Sequence, residues 1–258
     1  MAKPTANEIK SNIQAEDSSV WNQAQQRPDG LDVFESDLAE AIAAAWSDVE
    51  SAFVIASVPV TGGSSPPGGP LAGGTATLSP GMLANTALFT GIAGKFSSSF
   101  PDGATEGLLA LVDAVATGIG QKFPLWVSGY SATLVATGGS CAWVAPTPAV
   151  PSGTPGPWAG GSIQDFALAG GTSTGDQGMS AASLEAAIGS SADPAKLKQN
   201  QNVLQPALSA LIKAIAKGFE TTWSQWKTKT KISGGTGTGL ASPPSGTVVG
   251  AVTTPLIS

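Results

Sequence analysis

The chain has 258 residues, enough for one large domain or two to three small ones with a real core. Only 12% of the residues are charged, glycine and proline together make a fifth of the chain, and there is no histidine and a single cysteine, Cys141. These counts exclude Ser-His-Asp and Cys-His catalysis, histidine-ligated metals, an intrachain disulfide and cysteine-rich zinc sites, and a net charge of −6 argues against a nucleic-acid-binding surface.

The first nineteen residues are polar and mixed in charge, without the basic start and apolar run of a signal peptide. No apolar stretch is read as reaching the ~18–20 residues of a membrane helix, so synthesis in the cytoplasm and no membrane span are expected. Residues 1–50 hold ten acids and three bases, whereas residues 190–258 hold two acids and seven bases. An acidic head and a basic tail are suited to two solvated faces of one molecule, or to head-to-tail pairing between subunits. The acidic run Asp29, Asp32, Glu35, Asp37 and Glu40 lacks the calcium-loop pattern. It fits the first turn and solvated face of a helix, where negative charge suits the dipole.

Three segments share an apolar ladder with the spacing 4, 3, 4, 4: Leu38, Ile42, Ala45, Val49, Phe53; Leu108, Val112, Val115, Ile119, Phe123; and Leu208, Ile212, Ile215, Phe219, Trp223. This spacing places each set on one face of an α-helix, predicting helices over 37–57, 106–123 and 204–227. The next rung is Ala56, Trp126 and Trp226.

β-branched stretches ending in Gly-Gly follow each ladder, over 54–63, 126–139 and 228–235, and predict a short strand and a tight turn. A second block, Gly69-Pro70-Leu71-Ala72-Gly73-Gly74-Thr75, matches Gly156-Pro157-Trp158-Ala159-Gly160-Gly161-Ser162. Ala-rich stretches at 83–96 and 181–188, with 6–15 as a leading equivalent, predict short helices. The reading is an α+β chain of three diverged repeats, 1–80, 81–170 and 171–258. Each holds a long amphipathic helix followed by a short strand pair and Gly/Pro-rich loops, with much irregular coil. Linkers are expected at 97–107 and 190–202, and a Pro-rich, uncharged insert at 145–158.

No motif carries chemistry. Gly94-Lys95 lacks the leading glycine and the hydroxyl residue of a phosphate loop, and Gly235-Thr-Gly237-Thr-Gly239 precedes no predicted helix. Ser140 lacks a nucleophile elbow. No enzymatic activity, metal or cofactor is expected. Trp143 and Trp158, within the uncharged loop region, are the leading interface candidates, with Trp126 and Trp226 at the ladder ends beside them.

The helix DLAEAIAAAWSDVESAF running into VIASVPVTGG resembles small structural proteins of tailed-bacteriophage head–tail and baseplate clusters, whose pattern is an Ala/Ile-rich helix, a bulky aromatic and a Val/Thr/Gly-rich strand tail. That resemblance implies a virion or contractile-particle component of the tail, baseplate or neck. It would be made in the host cytoplasm, contact other structural proteins of the particle through its three repeats, and assemble with a symmetry that is a multiple of three. It would touch no nucleic acid directly. The alternatives are a capsid decoration or surface glycan-binding module using its tryptophans, and a carboxylate-based hydrolase.

Overall fold

The computed structural model describes residues 3–20, 30–64, 67–96, 105–192 and 201–258. It is α+β, with six α-helices among the described residues and a closed six-stranded antiparallel barrel.

Helix α1 (Ala6–Val20) begins with a reciprocal cap. The Glu8 N–H donates to Thr5 Oγ1 (3.2 Å) and the Thr5 N–H donates to Glu8 Oε2 (2.8 Å). That bond and the nearby Lys229 hold the Glu8 carboxyl below its ordinary value. Helix α2 (Leu31–Ser51) buries Leu38, Ile42, Ala45 and Val49. Helix α3 (Ile92–Lys95) is a single turn, and α4 (Thr105–Gly129) runs through Pro124. Burial of Phe123, Trp126 and Val127 on either side of the proline holds the helix together there; proline in a helix interior costs about 3 kcal/mol. Ser180 caps α5 (Ala181–Ser191), its Oγ accepting from the Ser183 N–H. Helix α6 (Gln201–Lys229) ends with Lys227 and Lys229, cations that suit the negative end of the dipole.

Two glycines set how closely these helices approach. A Cβ on Gly118 of α4 would meet the backbone of Ile188 in α5, and one on Gly218 of α6 would meet the backbone of Ile13 in α1. The helical layer therefore packs backbone to backbone at both contacts.

The strands are β1 (Phe53–Ile55), β2 (Val58–Ser64), β3 (Leu71–Leu78), β4 (Leu83–Asn85), β5 (Tyr130–Cys141), β6 (Gly156–Ala167), β7 (Thr172–Ser173), β8 (Lys231–Ser242), β9 (Thr247–Thr253) and β10 (Leu256–Ile257). β1 and β4 form a separate two-stranded ribbon. The barrel runs β2-β3-β5-β6-β8-β9 and closes where β9 pairs with β2, Val60 lying opposite Gly250. Val58, Val60, Leu71, Leu134, Trp158, Ile163, Val248 and Val252 fill its lumen. Six strands enclose less room than the eight that just hold side chains, so Gly74, Ala76, Ala136, Gly161 and Ala241 occupy other buried positions on the strands. One contiguous core runs through the helical layer and the barrel.

The expected three-repeat architecture is overturned by this barrel. All six long strands zip into one closed sheet, so no segment closes a core of its own. The β1–β4 ribbon follows α2 as a sheet of its own, whereas after α4 and α6 the short pairings, Tyr130–Ser131 with β7 and Ile232–Ser233 with β10, are made by the first residues of the barrel strands β5 and β8 themselves. The stretch 83–96, expected to be helical, forms β4, a 3₁₀ turn at Phe89–Gly91 and the four-residue α3. The Gly-Gly pairs do not end strands. Gly138-Gly139 and Gly234-Gly235 adopt φ between 70° and 83° inside β5 and β8. They bend the strands at mid-length, as corner glycines of a barrel do. The insert at 145–158 is a hairpin connection bridged at Val144–Thr154, and its last three residues begin β6.

Helix limits differ too. The ladders suggest 37–57, 106–123 and 204–227, whereas α2, α4 and α6 cover 31–51, 105–129 and 201–229. Most of the two expected linkers, 97–107 and 190–202, lies outside the described residues.

Candidate interaction surface

The ladder residues all turn inward. Phe53, Leu108 and Leu208 are partly buried, and the other twelve are buried. Their aromatic ends converge. Trp46, Phe53, Phe89, Phe123, Trp126, Tyr130, Phe219, Trp223 and Trp226 form one connected cluster of rings between the helices. Tyr130 sits at its edge, donating from its hydroxyl to the Leu168 carbonyl (2.8 Å), and burial pushes its ionisation well above the ordinary range.

The four tryptophans expected at an interface are all buried in the chain itself. Trp126 Nε1–H donates to Asp176 Oδ1 (2.9 Å) and Trp226 Nε1–H to Glu50 Oε1 (2.6 Å). Trp158 lies in the barrel lumen and donates to the Gly138 carbonyl (3.2 Å). Trp143 plugs the far end of the barrel, its Nε1–H donating to Ser64 Oγ (2.9 Å). A loop tryptophan in an uncharged stretch reads equally as a ring offered to a partner or as a plug, and here the plug wins because the lumen is apolar and unfilled without it.

Glu50 is the buried ionisable group in this region. Burial pushes its carboxyl above the ordinary value, while the Trp226 hydrogen bond and Lys3 draw it back. A raised value means that the folded chain takes up a proton at higher pH than the unfolded chain does. Glu50 therefore costs stability above its folded value, and that cost disappears as pH falls below the unfolded value. Glu50→Gln keeps an acceptor for Trp226. It should raise the thermal midpoint at about pH 8 and leave it nearly unchanged at about pH 4, close to the ordinary glutamate value. Scanning calorimetry at both pH values reads this out. A variant no more stable at the higher pH means that Trp226 and Lys3 solvate the carboxylate as well as water does.

The acidic run does not form one solvated face. Glu35 is fully buried and accepts from Gln14 Nε2 (3.0 Å), which also reaches Asp32 (3.0 Å). Asp37 and Glu40 lie on the outer part of α2, and Asp29 lies outside the described residues. The acidic head meets the basic tail within one chain. Lys217 pairs with Glu16 at 2.8 Å and Lys229 with Glu8 at 3.3 Å, because α1 packs along α6.

Among the described residues, no group of three or more His, Cys, Asp or Glu side chains is placed to hold a metal ion. A cleft of about 420 Å³ lies beside β3 and β5, lined by the hydroxyl residues Thr77, Ser79, Ser131, Thr133 and Thr172 with Gly170 and Gly171. It contains no ionisable side chain, so its walls hold neither a general acid nor a general base. One helix among the described residues, 107–129, is long and apolar enough to cross a membrane, a length the sequence reading does not count. Within its most apolar window, 56% of the residues are buried inside the protein, where they form the ladder face of α4.

The barrel exterior is the surface that stands apart. Along β2, β3, β5, β6, β8 and β9 the only charged residues are Asp165 and Lys231, and these pair with each other at 3.0 Å near the helical end. The segments 67–70, 142–155 and 243–246, which lie at the far end, contain no charged residue. Twenty-eight of the thirty charges therefore lie elsewhere in the chain. Outward positions carry threonine, valine, alanine, glycine and proline instead. The register aligns them into rows. Leu240 lies opposite Val249, Val249 opposite Thr61, Thr61 opposite Thr75, and Thr75 opposite Val135. Beside this row lie Thr238, Ala251 and Pro59. Sequence reading missed this surface, although the alternation in TATL, SATLVAT and TVVGAVT carries its signal.

Comparison with protein-family models, with curated proteins and with solved structures returns no match.

Proposed function

We propose that the chain is a structural, assembly-forming component of a phage or phage-like particle, in its tail, baseplate or neck, and that it docks on neighbouring structural proteins through the barrel. The observation that carries this reading is the barrel exterior with its far-end loops, whose only charges are the mutually paired Asp165 and Lys231. Protein surfaces that face water permanently are rich in charge, whereas the centres of protein–protein interfaces are depleted of it. The likeness of the helix-and-strand segments to phage structural proteins supports the same reading.

The threefold symmetry expected from repeats is not carried forward, because the repeats themselves are replaced by the barrel. Glycan binding through Trp143 and Trp158 loses its basis as well, since neither ring is accessible for stacking.

The test is a mass-spectrometric inventory of gradient-purified particles from a host expressing the intact gene cluster. The chain should co-sediment with particles at a fixed copy number. A chain that stays at the top of the gradient while complete particles form overturns the proposal.

A further inference from the structure

We propose that the hydroxyl-lined cleft beside β3 and β5 binds a neutral saccharide. The proposal does not rest on the assembly reading, and neither falls with the other.

The cleft is built from register pairs. Thr77 of β3 lies opposite Thr133 of β5, and Ser131 of β5 lies opposite Thr172 of β7. Thr133 and Ser131 are two residues apart on one strand and so share its outward face. The hydroxyls therefore form a grid, with steps of about 5 Å across the strands and about 7 Å along them. Ser79, at the end of β3, adds a fifth. Among the described residues, the side chains of Thr77, Ser79 and Thr133 make no hydrogen bond. Ser131 Oγ reaches the Thr172 oxygens only at 3.4 Å, long against the ~2.5–3.0 Å of an O–H···O bond. All five hydroxyls are thus at liberty to turn toward a ligand.

The far wall is fixed in advance. The Leu168 carbonyl accepts from the Tyr130 hydroxyl (2.8 Å) and from the Gly171 N–H (3.2 Å), which pins the turn 168–171. A Cβ on Gly171 would strike the Tyr130 hydroxyl, so this wall is bare main chain. The volume of about 420 Å³ lies within the ~300–1,000 Å³ of small-molecule sites.

Chemistry selects the ligand by class. A hydroxyl is one rotatable donor with two lone pairs, so a cluster of them matches other hydroxyls in either sense. A charged ligand would shed water against walls that hold no countercharge. An apolar one would cover five hydroxyls and leave them unpaired. A peptide adds to a sheet through a free strand edge, and β5 is flanked here by β3 and β7. A neutral sugar ring offers hydroxyls all round, and its C–H faces find Pro80 and Ala132 in the same walls. No aromatic ring lines the cleft, so affinity rests on hydrogen bonds and the dissociation constant is on the order of 1 mM.

The experiment titrates the ¹⁵N-labelled full chain with the methyl glycosides of glucose, galactose, mannose and N-acetylglucosamine, and with maltotriose as a longer chain. Amide shifts at 77–79, 131–133 and 170–172 should saturate with at least one of them. Glucuronate and glucosamine, which add a negative or a positive charge to the same ring, should bind more weakly than methyl glucoside or not at all. Thr133→Val and Thr77→Val keep the branched shape and remove one hydroxyl each. Each should weaken binding about two- to tenfold, the loss of one net hydrogen bond, while melting matches wild type because both positions face solvent. The proposal is overturned if no neutral sugar shifts the cleft amides at its highest soluble concentration. It is equally overturned if the charged sugars bind as tightly as the neutral ones, or if both valine variants bind as wild type does.

Discussion

Trp223→Ala lowers the free energy of unfolding by about 3–5 kcal/mol, the range for truncating a large buried aromatic. Trp223 is the hub of the ring cluster. It stands edge-on to Trp126 with centroids 4.7 Å apart, and lies 4.9 Å from Trp226 and 6.0 Å from both Trp46 and Phe123. These rings come from α2, α4 and α6, so truncation loosens three helices at once. Domain stabilities are about 5–15 kcal/mol in total, so the loss is a large share. Urea unfolding reads it as a lower midpoint at constant slope. A pair of phenylalanine variants sharpens the result. Among the described residues the Trp223 indole N–H has no hydrogen-bond partner, whereas the Trp126 N–H donates to Asp176. Trp223→Phe sacrifices ring size alone, and Trp126→Phe also loses a bond to a charged acceptor worth roughly 1.5–3 kcal/mol. Trp126→Phe should be the more damaging of the two, and the reverse order would show that the cluster tolerates its polar edges differently from its packing.

The second large effect is in the barrel lumen. Trp158→Ala should cost about 3–5 kcal/mol, and Gly161→Ala about 1–3 kcal/mol through overpacking. A Cβ on Gly161 falls within the Trp158 indole at Cζ2 and Cε2, and one on Gly237 meets the adjoining stretch of the same ring at Cη2 and Cζ2. The ring is held in this slot by its N–H bond to Gly138. The two positions are therefore coupled. Trp158→Leu combined with Gly161→Ala should be less damaging than the sum of the single variants, by about 0.5–3 kcal/mol as for residues in contact. Strict additivity would mean that the barrel wall shifts to admit the extra methyl and does not feel the ring.

What was legible in the sequence is the part governed by local spacing. The 4, 3, 4, 4 ladders locate three helices and their buried faces, because side chains one turn apart must share a side. Phe123 marks an apparent helix end because Pro124 follows it, yet packing of Trp126 and Val127 carries α4 onward to Gly129. The Gly-Gly pairs are ambiguous for a physical reason, since left-handed glycine serves a hairpin turn and a strand bend equally. Closure of the barrel was invisible. It pairs Val58 with Val252, a contact between residues far apart in the chain that no local pattern encodes. The interaction surface went unseen with it: Leu240 and Val249 look like core residues of a strand until closure decides which face of each strand turns outward.

That closure also sets when the protein becomes safe. β9 is the last of the six barrel strands in chain order, and it alone joins β8 to β2. Until it emerges from the ribosome, the other five strands form a sheet with two bare edges, β2 and β8, on which Lys231 is the only charged residue of the kind that usually discourages edge-to-edge pairing. A polypeptide halted before Thr247 is therefore a template for its own aggregation. Completing translation through β9 is itself the step that separates a sealed barrel from an open-edged sheet.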